Sequence, residues 1–188
     1  VGIERRYVSE LAIDPSNTRT IYAGTWDGIF KTTDAGETWV EIDTGLTNQQ
    51  VNSLTIDPGS PGTIFAGTDG GVFESTDGGG SWSGINEGLT NQCVNSVVIG
   101  LSKTLTIYAG TDEGMFKTNG TAAGKTWVEI NAGLTGLIVY ELTIDPGNNQ
   151  TIYAGTSQGV FKSTDGGGNW ANKISGLTSE WVYALGID

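Results

Sequence analysis

One phrase, 43 to 45 residues long by its tryptophan spacing, is written four times along this chain and begun a fifth time. That repetition limits the fold more than any single residue does. The phrase opens V-x-x-L-x-I-D at 8–14, 51–57, 139–145 and 182–188, with a variant at 94–100. A second part, T-I-Y-A-G-T or close to it, stands at 20–25, 63–68, 106–111 and 151–156. A glycine, an apolar residue and a phenylalanine follow (Gly28-Ile29-Phe30, Gly71-Val72-Phe73, Gly114-Met115-Phe116, Gly159-Val160-Phe161). Then come Trp39, Trp82, Trp127 and Trp170, each leading into Gly-Leu-Thr. Phe-to-Trp spacing is 9 in three units and 11 in the third, so the third carries a two-residue insertion in one turn.

Each part is short, rich in β-branched and aromatic residues, and bounded by Gly, Asp, Asn or Pro. That is the signature of strands joined by tight turns. The 30 glycines spread along the chain agree with it. No sustained 3.6-residue apolar pattern is present, which excludes a helical solenoid. We read four strands per unit, A to D from inside to outside. An isolated sheet of this kind leaves two apolar faces wet, and packing sheets radially, face on face, buries both. The expected fold is therefore all-β: a β-propeller of four four-stranded blades plus one extra strand, part of a larger propeller. The expected blades are 8–50, 51–93, 94–138 and 139–181, with 182–188 as the first strand of a fifth.

Between strands C and D the chain reads Thr32-Thr33-Asp34-Ala35-Gly36-Glu37-Thr38-Trp39, Ser75-Thr76-Asp77-Gly78-Gly79-Gly80-Ser81-Trp82 and Ser163-Thr164-Asp165-Gly166-Gly167-Gly168-Asn169-Trp170. A short carboxylate can accept N–H bonds within its own turn, the glycine two residues on permits positive φ, and the tryptophan three further on buries against the sheet. The expected structural set is Asp34, Gly36 and Trp39, Asp77, Gly79 and Trp82, Asp165, Gly167 and Trp170, with Trp127 alone in the third unit. There Thr118-Asn119-Gly120 replaces the boxed Asp.

These motifs resemble the Asp-box, or BNR repeat, of sialidases, family 74 xyloglucan-degrading glycosidases, sortilin-type receptor propellers and photosystem II assembly factors. The resemblance implies a propeller and no particular activity. It also implies that the boxes lie on the face opposite the ligand, so that B–C and D–A loops form the ligand rim. On that rim the residues that vary between repeats are Trp26, Asp27, Asp69, Asp112, Glu113, Glu180 and Trp181. Trp26 and Trp181 fall outside the repeating tryptophan position, and an indole beside carboxylates suits stacking on a sugar ring or anchoring a protein. Asp69, Asp112 and Glu113 are candidate oxygen ligands for a hard cation such as Ca²⁺, although solvated acidic loops are the better account of them. No other cofactor is expected.

Composition narrows the function. Nine Lys and Arg against 21 Asp and Glu, a net charge of −12, cannot build the positive surface that nucleic acid or anionic membranes require. No stretch approaches the length of a membrane helix. Without histidine there is no Ser-His or Cys-His couple, and Cys93 is the single thiol. The resemblance to sialidases implies a substrate clamp of three arginines. Only Arg5, Arg6 and Arg19 are available, and Arg19 falls in an A–B turn on the box side. Catalysis is left to a pair of rim carboxylates, as in a xyloglucanase-like glycoside hydrolase. The expected role is a non-catalytic, extracellular or surface-exposed (or periplasmic) module that binds protein or glycan. The apolar faces of its end blades call either for self-association or for further blades of a longer chain.

Overall fold

The computed structural model describes residues 2, 3, 6–100, 105–119, 125–135, 137–177 and 180–187. The turn insertion of the third unit and Arg5 lie outside the described residues. Among the described residues there are sixteen strands and no helix, so none that could cross a membrane. They form four antiparallel sheets of four strands, each in sequence order. Blade 1 is β1 (Val8–Ile13), β2 (Ile21–Thr25), β3 (Gly28–Thr32) and β4 (Val40–Glu41), and blade 2 is β5 (Val51–Ile56), β6 (Ile64–Thr68), β7 (Gly71–Ser75) and β8 (Ser83–Gly84). Blade 3 is β9 (Val94–Gly100), β10 (Thr106–Thr111), β11 (Gly114–Asn119) and β12 (Val128–Glu129). Blade 4 is β13 (Val139–Ile144), β14 (Ile152–Thr156), β15 (Gly159–Ser163) and β16 (Ala171–Asn172). The chain divides into two compact units: Val1–Asn86 with Gln92–Val94, holding blades 1 and 2, and Glu87–Asn91 with Asn95–Asp188, holding blades 3 and 4.

The middle strands are buried on both faces, which is why T-I-Y-A-G-T reads as a continuous run and not as an alternation. Their connection is a two-residue hairpin whose closing glycine (Gly28, φ 113°) takes a conformation that side chains resist. A fully buried threonine locks it: Thr25 Oγ1 donates to the Gly28 carbonyl at 2.9 Å and accepts the Asp27 N–H at 3.1 Å. Thr68, Thr111 and Thr156 repeat the arrangement.

Within each unit the second blade packs its A strand on a B-strand glycine of the first. A Cβ on Gly24 would meet Val51 at 2.7 Å, and one on Gly110 would meet Val139 at 2.6 Å. Trp82 reaches back to the first blade of its unit, its Nε1 donating to the Ile42 carbonyl at 2.6 Å, and Trp170 does the same to Ile130 at 2.8 Å. Around these contacts lie the two cores, Tyr22, Ile29, Val51, Leu54, Phe73 and Trp82 in one unit and Tyr108, Met115, Val139, Leu142, Phe161 and Trp170 in the other.

Two features depart from the sequence reading. The D strands span two residues, shorter than the phrases suggest. The chain ahead of β8 is held elsewhere, because the Trp82 N–H donates to the Thr44 carbonyl of the preceding loop. The segment expected as a fifth A strand forms no strand over 181–187. In every blade the A strand pairs only with its own B strand, and 182–187 has no such partner. Val182 nevertheless donates its N–H to Thr156 at 3.0 Å and stands against Gly155, the seat that Val139 occupies on Gly110.

Candidate functional site

Blades 1, 2 and 4 each have two ends of different character. At one, the A–B turn meets the Asp-box turn: Ala35 N–H donates to the Arg19 carbonyl, Gly78 to Gly62 and Gly166 to Gln150. At the other, the B–C hairpin meets the approach to an A strand: Trp26 donates to Tyr7, Gly28 to Gln49, Asp69 to Gln50 and Ser157 to Ile138.

At the box end the carboxylates are spent on their own turns. Asp77 accepts from Ser75 Oγ at 2.8 Å, from the Ser81 N–H at 2.9 Å and from Ser81 Oγ at 2.8 Å. Asp165 accepts from Ser163 Oγ at 2.8 Å and from the N–H and side-chain amide of Asn169 at 2.9 and 3.0 Å. The Ser81 N–H and the Ser75 and Ser81 hydroxyls bring Asp77 down to about 2, and the Asn169 amide, the Asn169 N–H and the Ser163 hydroxyl bring Asp165 to about 2. The Thr32 and Thr38 hydroxyls, then the Thr38 N–H, hold Asp34 well below the usual carboxylate range. Gly36, Gly79 and Gly167 have φ of 95°, 91° and 88°. Trp82, Trp127 and Trp170 are buried, whereas Trp39 is half-buried and donates to Gly36 of its own turn at 3.1 Å. Most of the acceptor capacity of Asp77 and Asp165 is thus taken up within their own turns, which keeps both carboxylates ionised.

The sequence reading missed what these turns also do. The Gly78 carbonyl accepts from Lys31 Nζ at 2.9 Å and Tyr22 Oη at 3.3 Å, both in blade 1; Lys117 and Tyr108 bond Gly166 likewise at 3.3 and 3.4 Å. Their recurrence in T-I-Y-A-G-T and F-K was the available signal.

At the loop end the candidates sort into three kinds. Asp69 and Asp112 are positioned by asparagines: Asn52 Nδ2 donates to Asp69 at 2.8 Å and to the Val94 carbonyl at 3.1 Å, and Asn95 Nδ2 to Asp112 at 2.9 Å and to the Val139 carbonyl at 3.0 Å. Asn52 is the extra residue of a β-bulge between Val51 and Ser53, which turns its side chain out of the ladder. The sequence reading passed over it, though V-N-S occurs twice. Asp27 pairs with Arg6 at 3.2 Å, and beside them the exposed Trp26 stacks on Tyr7 with ring centroids 4.9 Å apart and 27° between planes. Arg6 and Arg19 thus stand at opposite ends of blade 1.

In the second unit Trp181, Tyr183 and Tyr140 gather. Tyr140 is the extra residue of the bulge between Val139 and Glu141, Tyr140 and Tyr183 centroids are 4.7 Å apart, and Trp181 meets Tyr183 edge-on at 6.3 Å. Burial, then Tyr183 and Asp112, raise the Tyr140 phenol, and Asn95 ties Asp112 to the carbonyl of Val139, the residue before it. Glu113 and Glu180 are exposed, Glu113 closing its hairpin with an N–H to Thr111 at 3.1 Å.

Asp69 belongs to the first unit and Asp112 and Glu113 to the second. Among the described residues no three Asp, Glu, Cys or His side chains group as a metal site. A further acid, Glu141, was overlooked at an A-strand position where blades 2 and 3 carry Ser53 and Ser96. Burial pushes its carboxyl up, although Leu142 N–H and Ser96 Oγ bond it at 3.1 and 3.2 Å.

No family model and no curated protein matches the sequence. Solved structures do match. An ancestral GH74 enzyme shares 26% identity at a TM-score of 0.74, over 89% of this chain and 24% of its own. A GH74 enzyme of Niastella koreensis shares 25% at 0.69, over 87% and 29%. The extracellular domain of a hybrid two-component system of B. thetaiotaomicron shares 17% at 0.70, over 93% and 26%. The chain is thus all-β and of β-propeller fold, and it spans roughly a quarter of the length of these three structures.

Proposed function

We propose that this chain is a non-catalytic propeller segment that binds glycan or protein at its loop end, outside the cell. The observation that carries the reading is the Tyr7–Trp26 pair. It is an aromatic platform, Trp26 54% exposed, set beside the Arg6–Asp27 ion pair, with an apolar face and hydrogen-bonding groups side by side. The rim acids support it, because Asp27, Asp69 and Asp112 are each engaged in holding loops together, and the proposed binding requires no cofactor. Calorimetry against soluble β-glucan oligosaccharides tests it. Saturable binding lost in Trp26→Ala, with no reducing sugar released, supports the module; absence of binding to glycans and to extracellular protein extracts overturns it.

The 26% identity to a GH74 enzyme favours a second reading, part of a carboxylate-dependent glycoside hydrolase. That reading requires release of reducing sugar at an enzymatic rate, abolished by neutralising two rim acids. Self-association belongs to the first reading. The A-strand face of blade 1 leaves Val8, Leu11 and Ile13 exposed, and we infer that another blade of the same kind covers it, which light scattering measures.

A further inference from the structure

The two aromatic groups of the loop end differ in a way that separates their ligands. Tyr7 and Trp26 lie nearly parallel, and the carboxylate beside them already has its cation, Arg6. In the second unit the rings are inclined: Trp181 stands at 89° to Tyr183, and Tyr140 at 44°. Inclined rings give no single floor for a flat sugar ring. The π faces they leave open to solvent carry negative potential, which attracts a cation.

The charge beside these rings has the same sign. Asn95 Nδ2 bonds both Asp112 and the carbonyl of Val139, the residue before Tyr140, which holds the carboxylate near that strand, and a bond from a neutral amide leaves its charge uncancelled. Among the described residues no Lys or Arg pairs with Asp112. Trp181 and Tyr183 are 60% and 59% exposed, open to a ligand. Their register positions are not closed off in the other blades: of the counterparts of Trp181, Gln50 is exposed and Cys93 and Ile138 are half-buried, and Asn52 and Asn95, the counterparts of Tyr183, are half-buried.

We propose that Trp181, Tyr183 and Tyr140, with Asp112, form a binding site for a compact organic ammonium ion, such as a methylated amine group. The site rests on the reading of this chain as a binding module and names the chemistry of one of its two patches. A quaternary ammonium suits it better than a primary one, since its diffuse charge gives up water at lower cost when it meets aromatic faces.

Titration of tetramethylammonium chloride, followed through the Trp181 indole N–H in a ¹⁵N-labelled chain, tests the site. The signal is assigned by its loss in Trp181→Phe, and sodium chloride holds ionic strength constant. A saturable shift at a dissociation constant on the order of millimolar is expected, with no shift from the uncharged isostere neopentyl alcohol. Tyr183→Leu should abolish it, and Asp112→Asn should weaken it about fivefold, the effect of losing one exposed charge partner. Both changes fall on exposed side chains, and circular dichroism verifies that the variants fold. A response absent, equal for neopentyl alcohol, or unchanged in Asp112→Asn overturns the site. Glycan binding that depends on Trp26 while tetramethylammonium gives no shift removes this inference and leaves the binding module standing. Loss of both removes both.

Discussion

Blades 1 and 2 carry nearly the same phrase and bury it very differently. Val51 and Leu54 of blade 2 are 0% and 6% exposed; Val8 and Leu11, at the same places in blade 1, are 45% and 55% exposed. Trp82 is buried and bonded to Ile42 of the first blade, while Trp39 is half-buried and turns its N–H back to its own Gly36. Around Trp39 lies an open cleft of about 450 Å³ lined by Arg6, Phe30 and Val40. Burial in this repeat therefore belongs to the contact between blades, and an apolar side chain contributes only where a neighbour covers it.

The sharpest way to break that comparison is at the tryptophans. Trp82→Ala should cost about 3 to 5 kcal/mol, the range for emptying a packed aromatic site, and Trp39→Ala about a third as much; denaturant unfolding of the two variants measures the gap. Equal losses would mean that Trp39 is covered in solution. Next in size, Leu54→Ala should cost about 2 to 4 kcal/mol, while Leu11→Ala should leave the monomer's stability nearly unchanged and reduce self-association in light scattering.

The boxes give a smaller, pH-dependent effect that the two blades should share. Asp77 is depressed to about 2 and Asp34 is lowered also, so their contribution is complete above the ordinary aspartate range and lost as pH falls from about 4 towards 2. The melting temperature of Asp77→Asn should lie below that of the parent at pH 7 and approach it near pH 2, and that of Asp34→Asn should do so only at lower pH. A constant offset across that window would show that the carboxylate charge is not what the turns use.

The smallest effect concerns one backbone position. Ala35 has φ 66°, where the sister turns have Gly78 at 70° and Gly166 at 67°. A Cβ at Gly78 would meet nothing closer than Lys31 Nζ at 3.4 Å, so conformation alone separates the two turns. Ala35→Gly should stabilise by about 0.5 kcal/mol and Gly78→Ala destabilise by about 1 kcal/mol, read from denaturant midpoints.

The sequence by itself determined what depends on near neighbours. The Asp-box closes through bonds between residues two and four apart, such as Ser75 to Asp77 and Asp77 to Ser81, so spacing alone specifies it. The B–C hairpins close likewise, Thr25 to Gly28, across three residues. Four strands per repeat followed from the alternation of apolar runs and turn residues, and the packing of blade on blade within each unit from the need to cover the faces of such a sheet. Only the tertiary structure decided the rim. Asn52 meets Asp69 across 17 residues because a β-bulge re-aims it, Trp26 meets Tyr7 across a hairpin, and Tyr140 meets Tyr183 from segments a full repeat apart. The segment 182–187 carries the A-strand phrase and forms no strand, so the phrase alone does not make one.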